Sequence, residues 1–78
     1  MATLAFVLVD VTGDHTKSAY KTITRMAGVK SVYAVTGAHD LIILVETESI
    51  ETLGDLILSK IRSIDGVTKT MTNIVLNI

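Results

Sequence analysis

Residues 4–11 of the chain read Leu-Ala-Phe-Val-Leu-Val-Asp-Val, and residues 41–45 read Leu-Ile-Ile-Leu-Val. Successive side chains of a strand point to opposite faces, so each run, apart from Asp10 near the end of the first, would be apolar on both faces. The first run ends at the turn signal Thr-Gly-Asp at positions 12–14, and the second follows Asp40. Both runs predict strands that are buried on both faces.

Two helices and two further strands are predicted around these runs. Apolar residues recur every three or four positions in two segments, at Ala19, Ile23, Met26 and Ala27 and at Ile50, Leu53, Ile57, Ile61 and Ile64. Gly28 and Gly66 stand where these helices would end, and Ser49 stands where the second would begin. Residues 29–35, which are rich in valine, and residues 67–78, which alternate, predict the remaining strands.

The predicted order is therefore β-α-β-β-α-β, the ferredoxin-like plan of the α+β class. That plan has a four-stranded antiparallel sheet in the order 4-1-3-2 with two helices on one face. The two runs that are apolar on both faces become the central strands. Two helices cover one face only, so Leu4, Phe6 and Leu8 or their alternates would face water in a monomer. We therefore expect a sheet-to-sheet dimer.

Composition supports self-association. The chain has 78 residues, of which 49% are hydrophobic and 19% charged, and a chain this short buries only about 60% of its unfolded surface. With no cysteine and two histidines, neither disulfides nor a metal would stabilise it. On the second helix, Leu56 and Leu58 widen the apolar stripe and Gly54 would allow close approach, which predicts a second interface that joins dimers. We expect residues 1–78 to form one domain.

Several function classes are disfavoured. A net charge of −1 disfavours general nucleic-acid binding, so Lys17, Lys21 and Arg25 are most simply a solvated helix face. The sequence has no cysteine nucleophile, no Gly-x-Ser-x-Gly motif and no glycine-rich phosphate loop, so we expect no catalytic residues and no enzyme activity. His39 and Asp40 are adjacent and would point to opposite faces, so we expect no metal site and no other cofactor.

The apolar runs are too short to cross a membrane, and the N-terminus lacks the charge and cleavage pattern of a signal peptide. We therefore expect a soluble, cytoplasmic protein. His15, at the start of the first helix, is expected to be a solvated surface residue.

The turn between the second and third strands is the candidate site. It comprises Thr36, Gly37, Ala38, His39 and Asp40. Glycine lets such a turn expose backbone amides, and the Asp40 carboxylate could hold an ammonium group. Amides beside a carboxylate suit a zwitterion such as an amino acid. A hairpin loop closed by the aspartate explains the same residues equally well.

The chain resembles the effector-binding domain of the Lrp/AsnC transcriptional regulators, known as the RAM domain. The likeness rests on Val-Thr-Gly-Ala-His-Asp at 35–40, followed by an apolar strand and an amphipathic helix. It continues with Asp-Gly-Val at 65–67 and the alternating Thr-Met-Thr-Asn-Ile-Val-Leu at 70–76. It covers essentially the whole chain. Those regulators carry an N-terminal helix-turn-helix domain, whereas this sequence begins at the first RAM strand. The resemblance therefore implies a stand-alone RAM domain.

The resemblance also implies an assembly and a ligand. RAM domains dimerise sheet to sheet and form octamers or decamers, with amino-acid effectors bound at the interfaces between dimers. Gly37 and Asp40 match the family's glycine and acidic ligand positions, and Thr70 and Thr72 match threonines that line the same cleft. Ala38 and His39 depart from the acidic residue and the aromatic that the family often has there. Full-length Lrp-like regulators are implied as partners in mixed assemblies, without direct contact between this chain and DNA.

Three alternatives stay open at this stage. An ACT domain is also an amino-acid-binding β-α-β-β-α-β module, and Asp-Val-Thr-Gly at 10–13 resembles its ligand turn. In that case Gly13, rather than Asp40, would be essential for binding. The second alternative is a small dimeric α+β barrel protein, which would require a deep polar cleft between the sheet and the helices. The third is a purely structural oligomer that binds no ligand.

Overall fold

The computed structural model describes residues 2–78, except for the side chain of Leu56. The helical residues 50–62, here called α2, combine α-helical turns at Ile50–Thr52 and Ser59–Arg62 with a π-helical stretch at Leu53–Leu58. The other elements are β1 (Thr3–Val11), a 3-10 turn (Gly13–His15), α1 (Thr16–Thr24), β2 (Val29–Ala34), β3 (Leu41–Thr47) and β4 (Val67–Ile74).

The four strands form one antiparallel sheet in the order β2-β3-β1-β4. This confirms the predicted fold class and the predicted strand order. The central position of β1 and β3 follows from their composition, because a strand that is apolar on both faces is least costly where neighbours cover both of its edges and at least one face.

The core lies between the sheet and the two helices. Alternate residues of the central strands are buried there, with Val7, Val9, Leu41 and Ile43 all 0% exposed. They pack in one cluster with Ala19 and Ile23 of α1 and with Leu53, Ile57, Leu58 and Ile61 of α2. Both helices therefore cover the same face of the sheet, as expected, and the intervening residues of β1 and β3 point to the other face.

Gly28 follows α1, which ends at Thr24, and Gly66 follows α2, which ends at Arg62. Gly28 and Gly66 have φ angles of 89° and 91°, a left-handed conformation that residues with a Cβ rarely adopt. A Cβ at Gly28 would lie 2.7 Å from Cδ1 of Ile57, and one at Gly66 would overlap His15. His15 is half-buried against Gly66, so the expectation that it is solvated was wrong. The helix α1 itself ends earlier than predicted, at Thr24, because the chain tightens into turns before Gly28.

Ser49 caps α2 as predicted. Its hydroxyl accepts a hydrogen bond of 3.1 Å from the backbone N–H of Thr52. The π-helical stretch changes which side chains share a face, because residues five apart stack there instead of four. Leu58 therefore lies on the same face as Leu53, and both are buried, at 8% and 2% exposure.

This stacking corrects one expectation about α2. Leu58 packs within its own chain and does not need a second neighbour, whereas the side chain of Leu56 lies outside the described residues. A Cβ at Gly54 would meet no atom within 4 Å, so the expected close approach at this glycine does not occur within the chain. Among the described side chains of α2, the exposed large apolar residue is Ile50, at 63%.

The strand β4 is shorter than predicted and ends at Ile74 rather than at residue 78. Ile74 pairs with Ala5, and the N–H of Val75 still donates to the carbonyl of Leu4. Beyond this point only Thr3 remains as a partner in β1, because β1 begins there. Within residues 2–78, none of the helices is both long enough and apolar enough to span a membrane.

Candidate functional site

The loop of residues 36–40 connects β2 to β3. Gly37 has a φ of 108°, so glycine is required there by conformation, whereas a Cβ at this position would meet nothing within 4 Å. The loop is closed by the N–H of Val35, which donates to the carbonyl of Asp40 over 2.9 Å. Thr36, Gly37 and Ala38 lie at its tip, and all three are exposed. The backbone amides near Gly37 are therefore open to solvent.

Asp40 attaches the loop to the end of β1. Its N–H donates to the carbonyl of Val9 over 3.1 Å, and its carboxylate Oδ2 accepts from the N–H of Val11 over 2.8 Å. The carboxylate thus performs the loop-closing role that the sequence left open. A carboxylate has about four acceptor positions, so the bond from Val11 leaves acceptor capacity for a further donor such as an ammonium group.

His39 makes a second attachment to β1. Its Nδ1 lies 2.8 Å from Oδ1 of Asp10, and the two side chains are 24% and 27% exposed. Nδ1 can donate to this carboxylate whether the imidazole is neutral or protonated. Two neighbouring residues of the loop, His39 and Asp40, are therefore bound to two neighbouring residues of the central strand, Asp10 and Val11.

Sequence analysis missed the part that Asp10 plays in this loop, because 29 residues separate it from His39. One signal was present in the sequence. Leu4, Phe6 and Leu8 occupy the same face of β1 as Asp10, so a carboxylate ends an apolar row on a central strand. A carboxylate in such a position calls for a hydrogen-bonding partner.

Thr70 and Thr72 lie on β4, opposite Val9 and Val7, and therefore on the face that carries the helices. The Thr70 hydroxyl accepts a hydrogen bond from Nε of Arg62 over 3.3 Å. Thr70 also lines a cleft of about 190 Å³, together with Arg62, Val67, Thr68 and Lys69.

One chain does not bring these threonines to the loop. The strand β1 separates β4 from β3, and neighbouring strands lie about 4.8 Å apart, so the separation across β1 is about 10 Å. His39 and Asp10 lie toward the opposite face of the sheet from Thr70. The predicted site residues therefore form two groups within a single chain, the loop 36–40 and the pair of threonines.

The face of the sheet away from the helices is apolar at its centre. One row across all four strands consists of Tyr33, Ile42, Leu8 and Met71. The next row contains Leu44 and Phe6. We call these six residues together with Leu4 the open sheet face.

The open sheet face has the composition of an interface. Tyr33, Met71 and Phe6 are 56%, 42% and 40% exposed. At its margin Lys30 forms an ion pair of 3.1 Å with Glu46. An apolar centre with a polar rim is typical of surfaces that bind another protein.

Comparisons with known proteins find similar proteins over nearly the full chain. A model of the Lrp/AsnC ligand binding domain matches residues 4–78. PH1916 of Pyrococcus horikoshii, an uncharacterized HTH-type transcriptional regulator, is 32% identical over 75 residues, which cover 92% of this chain and 50% of that regulator. The chain spans about half the length of the curated relatives it matches.

Solved structures share the fold. TTHA0845 of Thermus thermophilus superposes with a TM-score of 0.91 at 33% identity, over 97% of this chain and 95% of that one. The transcriptional regulator NMB0573 of Neisseria meningitidis, solved as a complex with L-Met, superposes with a TM-score of 0.84 over 96% of this chain and 50% of that one. Its identity is 19%, so this likeness concerns the fold alone.

Proposed function

Because the chain belongs to the Lrp/AsnC ligand-binding domain family, we propose that it is a homo-oligomeric module that binds an amino acid and regulates transcription through partner proteins. The family consists of the ligand-binding domains of transcription regulators and is regulatory, not enzymatic. Family membership favours the RAM alternative over an ACT domain or an α+β barrel protein.

The open sheet face is the observation that carries the proposed oligomer. Leu8 and Ile42 lie at the centre of a row that is apolar across four strands. Both helices pack against the opposite face of the sheet, so they do not cover this row. A second copy offers a face of the same size and composition, so two sheets packed face to face would cover both. The resulting dimers would assemble further into an octamer or a decamer.

The effector is proposed to bind at the loop 36–40, where the ammonium group of an amino acid would meet the Asp40 carboxylate and its carboxylate would meet exposed amides near Gly37. Thr70 and Thr72 lie on β4, which β1 separates from β3 by about 10 Å in the same chain. They would complete the site from another subunit, which places the effector at a subunit interface. The L-Met complex of NMB0573, a regulator with the same fold, supports an amino acid as the class of effector.

Regulation would follow from mixed assembly. A shared open sheet face would let this chain assemble with full-length Lrp-like regulators in the cytoplasm. We propose that those partners contact DNA and that residues 1–78, with a net charge of −1, do not. A salt-sensitive gel shift produced by the purified chain alone would contradict this part of the proposal.

Calorimetric titration with each of the proteinogenic L-amino acids tests the proposal. At least one should bind, and the Asp40→Asn variant should bind it more weakly, because the amide keeps the hydrogen bond from Val11 but lacks the charge that attracts ammonium. Gly54→Ala, on the distant helix α2, is the matched control and should bind as the wild type does. No heat with any amino acid, together with an unchanged melting temperature, would refute the effector function.

A further inference from the structure

We propose that the outer surface of α1 docks against the first half of α2 in another copy of this chain, through opposite charges, and that this contact joins dimers. The surface of α1, here called the basic face, consists of Lys17, Lys21 and Arg25. Its counterpart, here called the acidic face, consists of Glu48, Glu51 and Asp55. The inference rests on the proposed oligomer and names the surfaces by which its dimers would assemble.

Charge is segregated between the two helical segments. Residues 16–28 contain the three cations of the basic face and no acidic residue, whereas residues 47–59 contain the three anions of the acidic face and no basic residue. All six side chains are exposed. Among residues 2–78, the ion pairs within 4 Å are Lys30–Glu46 and Asp10–His39. Neither face is therefore neutralised within the described part of the chain.

The basic face is unfavourable for an isolated helix. Lys17 lies in the first turn of α1, which begins at Thr16 and has no acidic residue in that turn. The helix dipole favours anions at this end and disfavours cations. Lys17, Lys21 and Arg25 also follow one another at intervals of four, the spacing at which like charges on a helix repel. An anionic partner would turn this repulsion into attraction, so the charges of α1 favour docking over simple solvation.

The acidic face supplies that partner from the chain itself. Glu51 and Asp55 are four residues apart, so two carboxylates of α2 repeat the spacing of two cations of α1. Two basic faces would repel each other, as would two acidic faces, so the attractive contact joins α1 of one copy to α2 of another. The agreement in both sign and spacing favours a second copy over a nucleic acid as the occupant.

Each face also borders an exposed apolar side chain. Tyr20 stands one turn from Lys17 on α1 and is 37% exposed, and Ile50 stands at the start of α2, beside Glu51, and is 63% exposed. An apolar contact within a charged rim is typical of protein interfaces. Both helices pack against the sheet on the side away from the open sheet face, so this contact leaves that face free for the dimer.

Charge reversal tests the contact by sedimentation velocity at low ionic strength. Lys17→Glu with Lys21→Glu should weaken the association of dimers by roughly twentyfold, or four- to fivefold for each of two exposed ion pairs. Glu51→Lys with Asp55→Lys should have the same effect. The α1 variant should fold at least as well as the wild type, because glutamate suits the first turn of a helix. Lys60→Glu, an exposed lysine in the last turn of α2, is the control and should assemble as the wild type does.

Mixing the two double variants provides the sharpest test. Neither should assemble beyond a dimer alone at concentrations where the wild type does. Equal amounts of both should form oligomers that contain the two masses in a native mass spectrum, because each α1 then meets an α2 of opposite charge. The charge-preserving pair Lys17→Arg with Lys21→Arg should assemble as the wild type does. Added salt should shift the wild type toward dimers.

Two results would overturn the contact, namely an oligomer larger than a dimer that survives reversal of the basic face, or double variants that stay apart when mixed. If reversal of the basic face removes retention on heparin and leaves the oligomer intact, the face serves a polyanion and the inference is likewise wrong. A wild type that never exceeds a monomer would contradict the proposed oligomer itself, so the two failures are distinguishable.

Discussion

Replacing Phe6 by lysine tests whether the open sheet face forms the dimer. Phe6 is 40% exposed in the single chain, which amounts to about 80 Å² if the whole residue presents about 200 Å². Covering that area at about 25 cal/mol per Å² contributes about 2 kcal/mol per subunit, and about 4 kcal/mol per dimer because both copies contribute. Phe6→Lys should therefore raise the dimer dissociation constant by roughly a thousandfold.

Sedimentation equilibrium over a dilution series measures this constant, and circular dichroism checks that the chain stays folded. Tyr20→Lys is the matched control, since Tyr20 is 37% exposed but lies on the helix side of the sheet, and its dimer should be unchanged. Ile43→Lys should instead unfold the chain, because Ile43 is 0% exposed within the core. A Phe6→Lys dimer as tight as the wild type would refute the assignment of this face.

Five further variants, at four positions, test the structure by chemical denaturation. Gly66→Ala should lower the free energy of unfolding by about 3 kcal/mol, because it combines left-handed backbone strain with overlap of the new Cβ and His15. Gly37→Ala should lower it by only about 1 kcal/mol, because a Cβ there meets no neighbour. Equal losses in the two variants would contradict the packing at Gly66. Asp40→Ala should cost about 2 kcal/mol by leaving the buried Val11 N–H unpaired, and Asp40→Asn should recover most of that stability; if the amide fails to do so, charge and not hydrogen bonding ties the loop. Leu58→Ala should lower the free energy of unfolding by about 3 kcal/mol. A loss below about 0.5 kcal/mol would show that Leu58 is exposed and not part of the core.

Much of the fold could be predicted because several local signals agree. The runs at 4–11 and 41–45 are apolar on both faces, which is consistent only with central strands in this element order. Ser49 precedes a helical stripe and caps it, as its hydroxyl predicts. Gly28 and Gly66 follow their helices and adopt the positive φ that such positions require.

The departures have physical causes that a single sequence does not display. The spacing of Leu53, Ile57 and Ile61 in the sequence is typical of an α-helix. The π-helical stretch has the same sequence spacing but also buries Leu58, so the sequence pattern does not distinguish the two. The alternation of residues 67–78 continues past Ile74, but a strand lasts only as long as its partner, and β1 begins at Thr3.

The candidate site was only partly accessible from the sequence. The chemistry of Gly37 and Asp40 predicts them as site residues, and both lie in the loop between β2 and β3. The bond between His39 and Asp10 joins residues that are distant in the chain, so it depends on the β1–β3 register. The separation of Thr70 and Thr72 from that loop likewise emerges only once β1 is known to lie between them.

A native mass spectrum of the protein, recorded with and without an equimolar mixture of L-amino acids, tests the central claim most directly. The account predicts oligomers with an even number of subunits that gain the mass of a bound amino acid when the mixture is present. A spectrum that contains monomers alone, unchanged by the amino acids, would contradict it.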